Sequence, residues 1–87
     1  MNIRYSDKAT KQLKRILKGS RPSALEIIAT IEGYAENRTG NFDVKLLKGK
    51  YGSFKRLRVG QYRIIFDEEN QVMTVYEIKH RQEAYHD

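Results

Sequence analysis

Phe54-Lys55-Arg56-Leu57-Arg58-Val59-Gly60-Gln61-Tyr62-Arg63-Ile64-Ile65-Phe66 reads as a β-hairpin. Gly60-Gln61 is a Gly-X pair, the signal for a two-residue type II′ turn. A two-residue loop pairs Val59 with Tyr62, Arg58 with Arg63, Leu57 with Ile64, Arg56 with Ile65 and Lys55 with Phe66. Side chains alternate faces along a strand. One face then collects Leu57, Val59, Tyr62, Ile64 and Phe66, which is a core. The other collects Phe54, Arg56, Arg58, Arg63 and Ile65. Arg58 stands opposite Arg63, and facing like charges are destabilising. Arginines gathered on one sheet face imply an anion there. The competing reading of Arg63 is a surface cation near the acidic segment that follows.

Working outward, Asp67 to Asn70 reads as a tight acidic turn. Val72 to Ile78 reads as a further strand, rich in β-branched and aromatic residues. Its face assignment stays open until the length of the loop before it is known. Upstream, Val44-Lys45-Leu46-Leu47-Lys48-Gly49 runs into a turn before the hairpin, and Asn37 to Gly40 is a break. Asn2 to Tyr5 alternates as a short strand, after which Ser6 or Asp7 can cap a helix. Ala9, Leu13, Ile16 and Leu17 fall on one helical face, and Lys18-Gly19 suits the helix end. A second helix begins either at Pro22 in its first turn or with a Ser23–Glu26 capping box. Ala24, Ile28, Ile31 and Ala35 form its apolar stripe, widened by Leu25, Ile27 and Tyr34. Gly33 in that helix costs about 1 kcal/mol against Ala and suggests a close helix crossing. The order is β-α-α-β-β-β with a short basic tail. The expected fold is α+β, an antiparallel sheet packed on two N-terminal helices, in one domain over residues 1–87.

The 87 residues carry 17 Lys and Arg against 11 Asp and Glu, a net charge of +6. A chain of this length buries roughly 60–65% of its unfolded surface, enough for a thin core. The basic balance points to a polyanionic partner: RNA, DNA or an acidic protein. The absence of cysteine removes disulfides and thiolate metal sites and fits a cytoplasmic location. No apolar run approaches the ~18 residues of a membrane span, and no signal peptide opens the chain.

Leu46-Leu47-Lys48-Gly49, the hairpin from Phe54 to Ile65, and His80-Arg81-Gln82-Glu83-Ala84-Tyr85 together resemble the RelE/ParE superfamily of bacterial toxins, closer to the RelE-like members. The resemblance extends over nearly the whole chain. It implies the toxin of a type II toxin–antitoxin pair, neutralised by a cognate antitoxin that wraps it. RelE-like members bind the ribosome and cut mRNA in its A site with basic and aromatic side chains and no metal. ParE-like members share the fold but poison DNA gyrase without nuclease chemistry. Carried over by position, the RelE-type set falls on Lys48, Arg56, Arg63 and Arg81, with Tyr85 near the C-terminus. Some nucleases carry a lysine two residues before Arg56, where this chain has Phe54. The spacer from Arg81 to Tyr85 is also short.

Metal-free RNA cleavage uses the ribose 2′-OH as nucleophile. A base must take its proton, an acid must protonate the leaving 5′-oxygen, and cations must neutralise the growing charge on phosphorus. Arg56, Arg58, Arg63 and Arg81 offer bidentate, permanently charged contacts to phosphate. Tyr85 can stack on a base, transfer a proton, or dock on the sheet as a tail aromatic. His80 has an intrinsic pKa suited to acid–base work, or is a surface histidine at a strand end. Phe54 shares the arginine face, where it can stack on an unpaired base or cap the core's edge. Lys11, Lys14, Arg15 and Lys18 line the outer side of the first helix, a solvated face or a contact to rRNA phosphates. His80, His86 and Asp87 could suggest a metal site, but two histidines near a frayed terminus have no third fixed ligand, so neither a metal nor another cofactor is expected. The reading is a cytoplasmic, ribosome-dependent endoribonuclease acting on mRNA; the alternative is a gyrase inhibitor.

Overall fold

The hairpin closes in the register set by its two-residue loop. The computed structural model describes residues 1–47 and 53–84. In it, Lys55↔Phe66, Arg56↔Ile65, Leu57↔Ile64, Arg58↔Arg63 and Val59↔Tyr62 are cross-strand partners. Gly60 takes φ +57° while Gln61 keeps a negative φ. That is the II′ pattern, since a I′ turn would need both residues left-handed.

In chain order the elements are β1 (Asn2–Tyr5), α1 (Asp7–Gly19), α2 (Arg21–Glu36), β2 (Val44–Leu46), β3 (Lys55–Val59), β4 (Tyr62–Glu69), β5 (Val72–His80) and α3 (Arg81–Ala84). The α+β sandwich is as expected, with two additions: β2 joins β3 as an edge strand, and the one-turn α3 follows β5. The sheet order is β1-β5-β4-β3-β2. It is mixed rather than wholly antiparallel, because β1 lies parallel to β5, with Asn2↔Val72 through Tyr5↔Val75. Ser6 turns the chain out of β1: its N–H donates to Val75 O and its hydroxyl to Tyr76 O. The same hydroxyl accepts from Ala9 N at 3.0 Å as the α1 cap. Pro22 sits in the first turn of α2, and no side chain caps that helix. No helix among the described residues is long and apolar enough to cross a membrane.

Two local features depart from the sequence expectation. The loop after β4 is Asn70-Gln71, not Asp67 to Asn70. Both residues are left-handed, at φ 53° and 65°, and Glu69 pairs with Val72 across them. β4 runs this long because Glu68 is held on the helix side: Lys55 Nζ lies 2.7 Å and Arg38 Nη1 3.4 Å from its Oε2. Burial works against the Glu68 charge, but Lys55, the Tyr34 phenol and Arg38 outweigh it and hold the carboxyl below its ordinary range. Burial also pushes the Tyr34 phenol well up, and Glu68 adds to that shift.

The second feature is a β-bulge in β5. Ile65 pairs with Glu77 and Phe66 with Val75, leaving Tyr76 as the extra residue. The bulge reverses the alternation that follows. Met73, Val75 and Ile78 are therefore all buried against the helices.

The core lies between this face and α2. Leu57, Ile64, Phe66, Met73 and Val75 are fully buried, as are Ile31 and, nearly so, Ile27. From α2, Ala24, Ile27, Ile31, Tyr34 and Ala35 are buried, whereas Leu25 is exposed. Gly33 faces no helix; it packs against the Phe42 ring in the loop after α2. Tyr34 joins Phe42 and Phe66 in edge-to-face contacts at 5.5 and 5.3 Å.

Candidate nucleic-acid interface

The face of the sheet turned away from the helices carries the charged set. Register places Lys79 on β5, Arg63 on β4 and Arg58 on β3 side by side in one row. The next row reads Glu77, Ile65, Arg56 and Lys45 across β5, β4, β3 and β2. Neighbouring strands lie ~4.8 Å apart, so each row offers closely spaced guanidinium and ammonium groups. Glu77 is tied to Lys8 at 3.0 Å and Lys79 at 3.5 Å. Arg56 is 11% exposed and sits 3.3 Å from Asp43, whose own side chain is largely in solvent. Arg58 is exposed and Arg63 half-buried. A row of cations across three strands, flanked by a shielded arginine, suits a phosphate backbone laid over the sheet.

Aromatic side chains border the rows. Phe54, one alternation beyond Arg56, meets the bulged Tyr76 edge-to-face at 5.2 Å. The Tyr76 hydroxyl donates to Asp67 Oδ2 at 2.9 Å. That bond, with burial and the Asp67 charge behind it, raises the phenol's pKa. Tyr5 is also raised, by burial and then Glu32. With Tyr34 shifted the same way, none of these three phenols is poised to act as a base.

The bulge decides which C-terminal residues join the arginines. Uninterrupted alternation from Met73 and Val75 would have turned His80 to the open face and Lys79 to the helices. The extra residue exchanges them. His80 pairs with Tyr62 and meets its ring edge-to-face at 5.2 Å on the helix side. There the two line a cleft of about 380 Å³ with Gln12, Arg15, Ile16 and Ser20. Its Nδ1 accepts from Gln82 N at 3.3 Å. Arg81 opens α3 beside the hairpin tip, its N–H donating to Gln61 O at 2.6 Å.

Of the sequence-derived set, Phe54, Arg56, Arg58 and Arg63 thus share one face. Arg81 lies at the end of the sheet beside the hairpin tip, His80 lies on the opposite face, and Lys48 and Tyr85 fall outside the described residues. Lys79, Lys45 and Tyr76 join the face without having been singled out. A bulge leaves no mark in a run of β-formers such as Val72 to Ile78, so nothing in the sequence flagged Lys79 or Tyr76. Lys11, Lys14, Arg15 and Lys18 are exposed on α1, as a solvated face would be. Among the described residues no three His, Asp or Glu side chains group as metal ligands; His86 and Asp87 lie outside them.

Residues 3–85 match the family model described as the ParE toxin of the type II toxin–antitoxin system parDE. The fold is similar to that of the YoeB dimer from Staphylococcus aureus, at 16% identity and a TM-score of 0.78 over 92% of this chain and 95% of that one. It is similar to RelE in the RelB–RelE antitoxin–toxin complex from Methanococcus jannaschii, at 23% identity and a TM-score of 0.69 over 95% of each chain. The archaeal RelE–RelB complex from Pyrococcus horikoshii matches at 26% identity and a TM-score of 0.61, over 92% of this chain and 93% of that one. Among curated proteins, no sequence matches this one.

Proposed function

The chain belongs to the ParE toxin family of type II toxin–antitoxin systems, and from that premise we propose that it is a ribosome-dependent endoribonuclease that cuts mRNA in the cytoplasm and is silenced by a cognate antitoxin. The observation that carries this reading is the row Lys79–Arg63–Arg58, with Arg56 beside it. Facing like charges cost stability, and a bound phosphodiester converts that cost into affinity. A protein that acts only by covering another protein has less need of such a row.

In the proposed reaction the ribose 2′-oxygen attacks the adjacent phosphorus. The bond to the 5′-oxygen breaks, leaving a 2′,3′-cyclic phosphate and a free 5′-hydroxyl. Arg63, central in the row, holds the non-bridging oxygens as charge grows on them, with Arg56 and Arg58 on one side. Arg81, beside the hairpin tip, adds a further cation. Lys48 and Phe54 are assigned to RNA binding. Tyr85 is the candidate for proton transfer, because His80 lies on the opposite face of the sheet from Arg63 and would reach the phosphate only by a rearrangement of β5.

The antitoxin assignment draws on the complexes formed by the similar RelE chains. An acidic segment that orders on binding would relieve the cationic face. Gyrase inhibition is the second reading, favoured by one observation: the family model that matches is the ParE model.

One experiment separates them. Purified protein is added to ribosomes translating a defined mRNA, cuts are mapped by primer extension, and gyrase supercoiling is assayed in parallel. The expected result is discrete cuts in translated mRNA with supercoiling intact, and a loss of ~100-fold or more in cutting for Arg63→Ala. Blocked supercoiling with intact mRNA would assign the gyrase reading instead.

A further inference from the structure

Beyond the arginine rows, the same open face holds a polar hollow of about 320 Å³ beside the bulged Tyr76, lined among others by Arg4, Asp67, Glu69 and Thr74. We propose that this hollow is a guanine-binding subsite, in which Phe54 and Tyr76 hold the base by its ring and Asp67, with Glu69, reads its Watson–Crick edge. The inference rests on the RNA-cleaving reading above and extends it to base preference.

Position is the first argument. Arg4, Thr74 and Asp67 are neighbours across β1, β5 and β4. Asp67 lies four residues along β4 from Arg63, on the order of 13 Å at strand rise. A base held there belongs to a nucleotide flanking the cut. RNA running along the strands over the cationic rows would deliver it.

Shape is the second. Phe54 and Tyr76 meet at an interplanar angle of 78°, so they form a corner. A flat base can stack on one ring while the other closes its edge, the usual way single-stranded bases are gripped. Tyr76 is 37% exposed, and as the extra residue of the bulge it has no cross-strand partner on β4. Bulges recur beside functional sites, where they re-aim a side chain.

Hydrogen-bond chemistry is the third. Asp67 gives one oxygen to the Tyr76 hydroxyl at 2.9 Å, which fixes the carboxylate's direction. A carboxylate accepts about four hydrogen bonds and donates none, so acceptor sites remain. Guanine alone presents two adjacent donors, N1–H and N2–H, on its Watson–Crick edge. Adenine pairs one donor with one acceptor there, cytosine one donor with two acceptors, and uracil sets one donor between two acceptors. A hollow with the Asp67 and Glu69 carboxylates therefore selects guanine and repels the acceptor groups of the other bases. Arg4, exposed at its margin, offsets the approach of the nucleotide's own phosphate.

The test maps cuts on ribosome-bound mRNAs that differ only in the base flanking the cut, for the parent, Asp67→Asn and Tyr76→Ala. Fluorescent oligonucleotides carrying guanosine or inosine at one position are titrated in parallel. The parent should favour guanine by about 10-fold, within the range of a good two-bond base contact. Inosine, which lacks the 2-amino donor, should bind more weakly than guanosine. Asn offers one donor and one acceptor, so Asp67→Asn should move the preference toward adenine. Tyr76→Ala should weaken binding to all bases. Thermal melts of both variants establish that they fold.

Cutting by the parent with no base preference, or a preference unmoved by Asp67→Asn, overturns the subsite and leaves the nuclease reading standing. No cutting by the parent overturns both. Variants that keep the base preference but lose affinity for the antitoxin would assign the hollow to the antitoxin and overturn the proposal.

Discussion

Arg58→Gln should make the protein more stable and less able to hold RNA. Arg58 stands directly opposite Arg63, which in turn faces Lys79. It is exposed, so its replacement opens no cavity, and Gln keeps an extended polar side chain in the strand. Removing one of two facing like charges returns about 0.2–1 kcal/mol. For a domain of this size 1 kcal/mol moves the melting temperature by roughly 4–8 °C, so the expected rise is about 1–8 °C at low salt. The interaction is exposed and therefore screened. The Debye length shrinks from ~10 Å at 0.1 M to ~3 Å at 1 M ionic strength, and at the higher salt parent and variant should melt together. RNA binding moves the other way. Losing one phosphate contact reduces the slope of log affinity against log salt by about 0.7 for a single strand. Calorimetric melts at both salts, with anisotropy titrations of single-stranded RNA over the same range, read both effects. A lower melting temperature at low salt would make Arg58 a structural residue and remove the reason for placing an anion on this face. So would an unchanged salt slope.

Leu57→Ala empties a fully buried site facing Ile64; a loss of ~2–5 kcal/mol should lower the melt clearly, and an unaltered melt would contradict its place in the core. Gly33→Ala should stabilise by up to about 1 kcal/mol through helix propensity, since a Cβ there would meet Phe42 Cζ at an ordinary 3.5 Å; a lower melting temperature would mean that the ring cannot accommodate it. Glu68 titrates below its ordinary range in the folded protein, so its contribution is complete above the unfolded value of about 4.3 and is lost as pH falls through the lower folded one. The gap in melting temperature between parent and Glu68→Gln should therefore close on acidification, and a gap that stays constant with pH would refute the ion cluster around that carboxylate.

How much could be read from the chain depends on what fixes each element. The β3–β4 register was legible because a two-residue Gly-X loop leaves one pairing, and the alternation of Leu57, Val59, Ile64 and Phe66 agrees with it. The arginine face followed from the same count. β2 was not legible: three residues are too few for alternation to stand out, and β3 supplies its partners. The turn after β4 was misplaced because Asp67, Glu68 and Glu69 look like loop residues. Lys55, Tyr34 and Arg38, distant in sequence, make Glu68 acceptable on the helix side. The side of the sheet taken by His80 and Lys79 depends on one unpaired residue, Tyr76. Alternation and propensity carry no information about a bulge whose cause lies in packing across strands. The parallel partner of β1 was equally hidden, since four residues of alternating pattern do not say which edge they will join.

That β1–β5 pairing bears on how the protein is made. Asn2 needs Val72 and Tyr5 needs Val75, and the hydroxyl that caps α1 is anchored on Tyr76 O. Chains emerge from the ribosome N-terminus first, so the first strand of the sheet waits for the last one before it has an edge to join. β5 also brings Met73, Val75 and Ile78 to the core and Lys79 to the cation row. A growing chain that stops short of β5 has neither a closed core nor the Lys79 end of the cation row. The sheet and the core thus close only once residues 72–80 have been made, and whatever depends on the fold comes after them.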